Sequence, residues 1–116
     1  MNLGTWIETL SALDPMLPVV FAGGAHPGKL LSWRGVYAEL SLDTGTEPTT
    51  VGAMLKDAKK AVGRTFEGYK GGDYVMREST PVWADPWGEC WYRGIAGVSI
   101  EGRTVVIGTA DLSDYR

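Results

Sequence analysis

Cysteine and histidine are almost missing from this chain: Cys90 and His26 are the only ones among 116 residues. A single cysteine excludes an internal disulfide and a cysteine-built zinc site, and it suits a reducing compartment. With one histidine, a Ser-His-Asp or Cys-His nucleophilic centre would have to be assembled around His26, and nothing in the sequence brings a partner near it. An oxygen-ligand metal site would rest on carboxylates such as Asp73, Asp85 and Glu89, whose spacing matches no calcium loop. No metal and no cofactor is therefore expected. Basic charge is also short, with 11 Lys+Arg against 14 Asp+Glu and a formal net charge of −3. No stretch could track a nucleic-acid backbone, so a nucleic-acid polymer is not an expected partner. The densest basic stretch, Lys56, Lys59, Lys60 and Arg64, has helical spacing and reads as a solvated helix face. No run approaches the ~20 apolar residues of a membrane-spanning helix, and the first residues show no basic segment leading into an apolar one. A soluble, cytoplasmic, non-membrane protein is expected.

What the chain does have is 44% hydrophobic residues in a length suited to one domain with one core. Thr5-Trp6-Ile7-Glu8 matches a capping box, predicting a helix from about 5 to 14 that ends at Asp14-Pro15 and Pro18. Thr49 or Thr50 caps a second helix from about 51 to 62, with Val51, Met54, Leu55, Ala58 and Val62 on its apolar face and Gly63 as left-handed terminator. Residues 17–22 read as a strand that empties into a long Gly-rich loop, Gly23 to Gly28, leading to Arg34. Residues 36–42 alternate as a strand does, Asp43 to Pro48 is turn-rich, and short strands are expected near 64–69, 73–77, 81–84, 95–100 and 103–109. A two-residue hairpin turn is placed at Ile100-Glu101-Gly102-Arg103. The fold class is α+β: two helices packed on one mainly antiparallel sheet, in a single domain spanning 1–116.

Two clusters carry the functional signal, Ser32-Trp33-Arg34-Gly35-Val36-Tyr37 and Gly68-Tyr69-Lys70-Gly71-Gly72-Asp73-Tyr74. Each sets an aromatic ring and a cation beside glycine, where a ligand can approach backbone N–H groups. Arg34 presents a fork suited to phosphate or carboxylate, Tyr37 and Tyr69 can bound a planar group, and Lys70 with the Gly71-Gly72 backbone completes an anion contact. The second cluster lacks the GxxxxGK[ST] spacing and is not a Walker motif. The same residue types also crowd ordinary turns and strands. A third segment, Trp83 to Tyr92, holds three of the five tryptophans; Asp85-Pro86 and Gly88 favour a reversal with Trp87 near its tip. An exposed tryptophan there can stack on a ligand or plug a neighbouring subunit, so association into a homo-oligomer is also expected.

Taken over almost its full length, the chain resembles a group of small uncharacterised proteins encoded by tailed bacteriophages. The resemblance is carried by the opening segment ending Leu13-Asp14-Pro15-x-Leu17-Pro18-Val19, by Ser32-x-Arg34-Gly35-x-Tyr37, by Thr50-Val51-Gly52, by Gly68-Tyr69-Lys70-Gly71-Gly72-x-Tyr74, and by Trp83 with Gly88-Glu89-Cys90. It implies a phage origin and action in the host bacterial cytoplasm. Small phage proteins without a catalytic centre commonly act by stoichiometric binding. The resulting expectation is a non-enzymatic counter-defence protein that sequesters a small anionic, nucleotide-derived signal such as a cyclic nucleotide or an ADP-ribose-like molecule. The alternative is an inhibitor that binds a host enzyme through Trp83, Trp87 and Trp91. A small hydrolase using Asp73, Asp85 or Glu89 ranks last, because no acid–base pair can be assigned.

Overall fold

The computed structural model describes residues 1–32, 39–67, 73–88 and 92–112. The first helix, α1 (Leu3–Ser11), starts earlier than the Thr5 capping box predicts: its cap is Asn2, whose side chain accepts from the Thr5 N–H at 2.8 Å. Thr5 thus uses its backbone as the donor. Leu3, Trp6 and Leu10 make the buried stripe. The second helix, α2 (Val51–Ala61), is close to expectation, with Thr50 Oγ1 accepting from the Ala53 N–H and Gly63 at φ +78° beyond its end.

Around these helices runs a seven-stranded mixed sheet, with two of its six strand pairings parallel. Its strands are β1 (Pro18–Phe21), β2 (His26–Ser32), β3 (Leu40–Gly45), β4 (Thr49–Thr50), β7 (Val82–Ala84), β8 (Arg93–Glu101) and β9 (Thr104–Ala110), in the order β2-β3-β7-β8-β9-β1-β4. β5 (Thr65–Glu67) and β6 (Asp73–Val75) pair separately as a small antiparallel ribbon. The fold is α+β, as the sequence predicts. Pairings β1–β9 and β3–β7 are parallel, the others antiparallel. The sheet curls so that β2, at one edge, lies against β4 at the other and against α2. Trp6 and Leu10 of α1, Met54 and Ala58 of α2, and Val19, Phe21, Leu40, Leu42, Val105 and Ile107 of the sheet form one core.

Three sequence expectations are corrected. Residues from His26 onward are not loop but the edge strand β2, because a bulge absorbs Gly28 and Lys29: Pro27 pairs with Thr44 and Leu30 with Leu42, so two residues oppose Asp43 alone. Asp43 to Gly45 belongs to β3 rather than to a turn. The hairpin turn is Gly102-Arg103, one residue later than predicted, since Glu101 already pairs with Thr104. Gly102, at φ +63°, occupies the first central position of that turn, where a primed turn needs positive φ.

Candidate functional site

The bulge in β2 leaves two successive backbone N–H groups outside the β2–β3 ladder, and each finds a carboxylate. Lys29 N–H donates to Asp43 Oδ1 at 2.8 Å, and Leu30 N–H donates to Asp57 Oδ2 of α2 at 3.0 Å. Asp43 fits only because residue 28 is glycine: a Cβ there would collide with its carboxylate oxygen and crowd the Gly45 backbone. These two bonds lock β2 between β3 and α2. They also fix where the side chains around them stand.

Along this seam, a groove of about 380 Å³ opens between α2 and β2. Lys29 from the bulge, Lys56 and Lys60 from the outer face of α2, and Arg64 from the segment after it line the groove, with Asp57 as the lone carboxylate. Lys56 and Lys60 stand four apart and therefore one above the other on the helix. The Arg64 guanidinium lies 4.8 Å from the ring centroid of the buried Phe66, a cation–π contact that restrains it. All four cations are exposed. Their floor is apolar, from Leu30, Leu31 and Ala53. Convergent cations over an apolar floor suit a small ligand with a phosphate or carboxylate and a flat body.

Sequence reasoning reads Lys56, Lys60 and Arg64 as a solvated helix face and passes over Lys29. The helical spacing of the first two is visible in the sequence, but the bulge that brings Lys29 beside them is not. Arg34, Tyr37, Tyr69, Lys70, Gly71 and Gly72 lie outside the described residues, as do Glu89, Cys90 and Trp91. Of the predicted ligand contacts, Trp87 is described. It sits in the turn from Asp85 to Gly88, closed by the Gly88 N–H on the Asp85 carbonyl, with 55% of its surface exposed and the Arg93 guanidinium 5.4 Å from its ring centroid. Trp83 is half-buried and donates from Nε1 to Glu39 Oε1 at 2.6 Å. Trp87 is not among the residues that line the cationic groove.

Asp43 is pushed above its ordinary value of 3.8, chiefly by burial and further by the charges of Asp85 and Asp57, against the lowering effect of the Lys29 N–H. Among the described residues no three histidine, cysteine or carboxylate side chains converge as a metal shell would require. No described helix is long and apolar enough to cross a membrane. Comparison with protein families, with curated proteins and with solved structures finds no match.

Proposed function

We propose that this protein is a non-catalytic binder of a small anionic molecule, with the α2–β2 groove receiving a phosphate or carboxylate. The observation that carries this reading is the convergence of Lys29, Lys56, Lys60 and Arg64 on one groove of ligand-accepting size in a chain of net negative charge. The same chemistry is what the sequence expects of Arg34, Tyr37, Tyr69, Lys70, Gly71 and Gly72. With the phage resemblance, it favours sequestration of a nucleotide-derived signal, a cyclic nucleotide or an ADP-ribose-like molecule, as counter-defence in the host cytoplasm.

Calorimetric titration with pyrophosphate, ADP-ribose and cyclic dinucleotides tests it. Charge-assisted hydrogen bonds contribute about 1.5 to 3 kcal/mol each, so the Lys56→Ala/Lys60→Ala variant is expected to bind at least about tenfold more weakly with its melting temperature nearly unchanged. Affinity should fall steeply between about 0.1 and 1 M salt, as the screening length contracts from ~10 to ~3 Å. Absence of heat with every anion would overturn the reading, and ligand recovered as a cleaved product would overturn its non-catalytic part.

A second reading has its own observation, the exposed Trp87 ring backed by Arg93. A supported aromatic of this kind is a common anchor at protein interfaces, either with a host enzyme or with a second copy of the chain. Trp87→Ala abolishing capture of a host protein, or converting a sedimenting dimer to monomer, while anion binding stays intact, would select it.

A further inference from the structure

A second cavity lies at β2's last residues, Leu31 and Ser32, and its chemistry is the reverse of the groove's. It measures about 220 Å³, room for about seven waters at ~30 Å³ each, and Ser32 of β2, Ser41, Asp43 and Thr44 of β3, Asp85 and Tyr92 supply its polar lining. The alternation of β3 explains the placement: Leu40 and Leu42 face the core, so Ser41 and Asp43 share the opposite face. Thr44 is fixed there by donating from Oγ1 to the Asp85 carbonyl at 2.6 Å, and the Asp85 N–H donates to the Leu42 carbonyl.

The informative group is the Ser41 hydroxyl. Ser41 is only 3% exposed, and its Oγ has no hydrogen-bond partner. A buried hydroxyl left unsatisfied is costly, and here it stands in the wall of a polar cavity beside two carboxylates. Asp43 carries a cost of its own: burial, with the charge of Asp85 adding to it, holds its carboxyl above the ordinary carboxylate range. Both costs fall if the cavity takes a cation with N–H donors, which supplies positive charge beside Asp43 and a hydrogen-bond partner to Ser41. A divalent metal fits less well, because it wants six or more oxygens at about 2.3 to 2.6 Å and the cavity is several times the size of one ion.

We propose that the Ser41–Asp43–Asp85 cavity is a binding site for a small organic cation bearing N–H donors, of the alkylammonium or guanidinium class. The site is separate from the anion groove and does not depend on it. The probes are methylguanidinium and propylammonium, with tetramethylammonium as a cation of similar bulk that has no N–H, all at matched ionic strength. Titration followed by amide NMR is expected to give saturable shifts at Ser41, Asp43, Thr44 and Asp85 at about millimolar concentration with the two N–H donors and none with tetramethylammonium. Asp85→Asn is expected to weaken binding at least about tenfold and Ser41→Ala severalfold. Ser41→Ala also serves where Asp85→Asn fails to fold, since removing an unpartnered hydroxyl leaves the core intact. Shifts that do not saturate, equal shifts with tetramethylammonium, or binding unchanged in Ser41→Ala would overturn the proposal. None of these outcomes bears on anion binding, which is read with pyrophosphate on the same sample.

Discussion

Leu31 lines both the cationic groove and the polar cavity, yet the two hold charge in opposite ways. Lys29, Lys56, Lys60 and Arg64 are long, exposed and bathed in water, so their mutual repulsion is screened and the folded state loses little by keeping them together. Ser41, Asp43 and Asp85 are short, largely covered side chains on or beside β strands, where lost hydration counts for more, as the raised carboxyl of Asp43 shows. Charge in the groove should therefore register in binding and hardly in stability. In the cavity it should register in stability and in pH dependence.

The strongest way to break this contrast is to remove what both sites stand on. Leu42 is buried beneath the bulge, pairing with Leu30. Leu42→Ala should cost about 2 to 5 kcal/mol in chemical denaturation, and binding at both sites should then fall together. Next in size is Gly28→Ala, which drives a methyl group into the Asp43 carboxylate and the Gly45 backbone. A loss of about 1 to 3 kcal/mol is expected, with faster amide exchange at Lys29 and Leu30; wild-type protection there would show that the bulge adapts without releasing Asp43.

A finer test turns on pH. Asp43 holds its proton more tightly folded than unfolded, so the folded chain binds more protons between its ordinary value of 3.8 and the raised one. Its contribution to stability is full below that window and is lost as pH rises through it. Asp43→Asn, which keeps an oxygen for the Lys29 N–H, should flatten the dependence of melting temperature on pH in the acid range and be no less stable than the parent at neutral pH. A steeper dependence would mean that the carboxylate is stabilised rather than penalised by its surroundings. The smallest effect is expected from Ser41→Ala, which deletes a hydroxyl that makes no bond. Its stability should be unchanged or slightly raised, and a loss above about 1 kcal/mol would imply a bond to ordered water.

Which features were legible in the sequence follows from how far apart their causes lie. Thr50 and the apolar stripe of α2 are local, and they predict the second helix almost to the residue. The first helix is equally local, but its Thr5 and Glu8 imitate a capping box while Asn2 does the capping. β2 hides because Pro27 and Gly28 are turn residues in most settings, and only the Asp43 side chain across the ladder makes a bulged edge strand of them. The groove was illegible for the same reason: it needs Lys29 and α2 to meet, and the Leu30–Asp57 bond that joins them spans 27 residues of sequence. The parallel pairings of β1 with β9 and β3 with β7 leave no pattern in either partner.

The position of β9 bears on how the molecule is made. It lies between β8 and β1, with Val20 of β1 registered on Val106 and Phe21 on Ile107, so a strand from the opening of the chain waits for one near residue 107. On the ribosome, the first hundred residues cannot close the sheet. Val19 and Phe21, fully buried in the finished core, remain an open apolar edge until Thr104–Ala110 emerges from the exit tunnel. Pairing at such separation is slow to nucleate, and a nascent chain stalled before residue 104 should be a ready substrate for holdase chaperones, whereas the full-length chain should escape them.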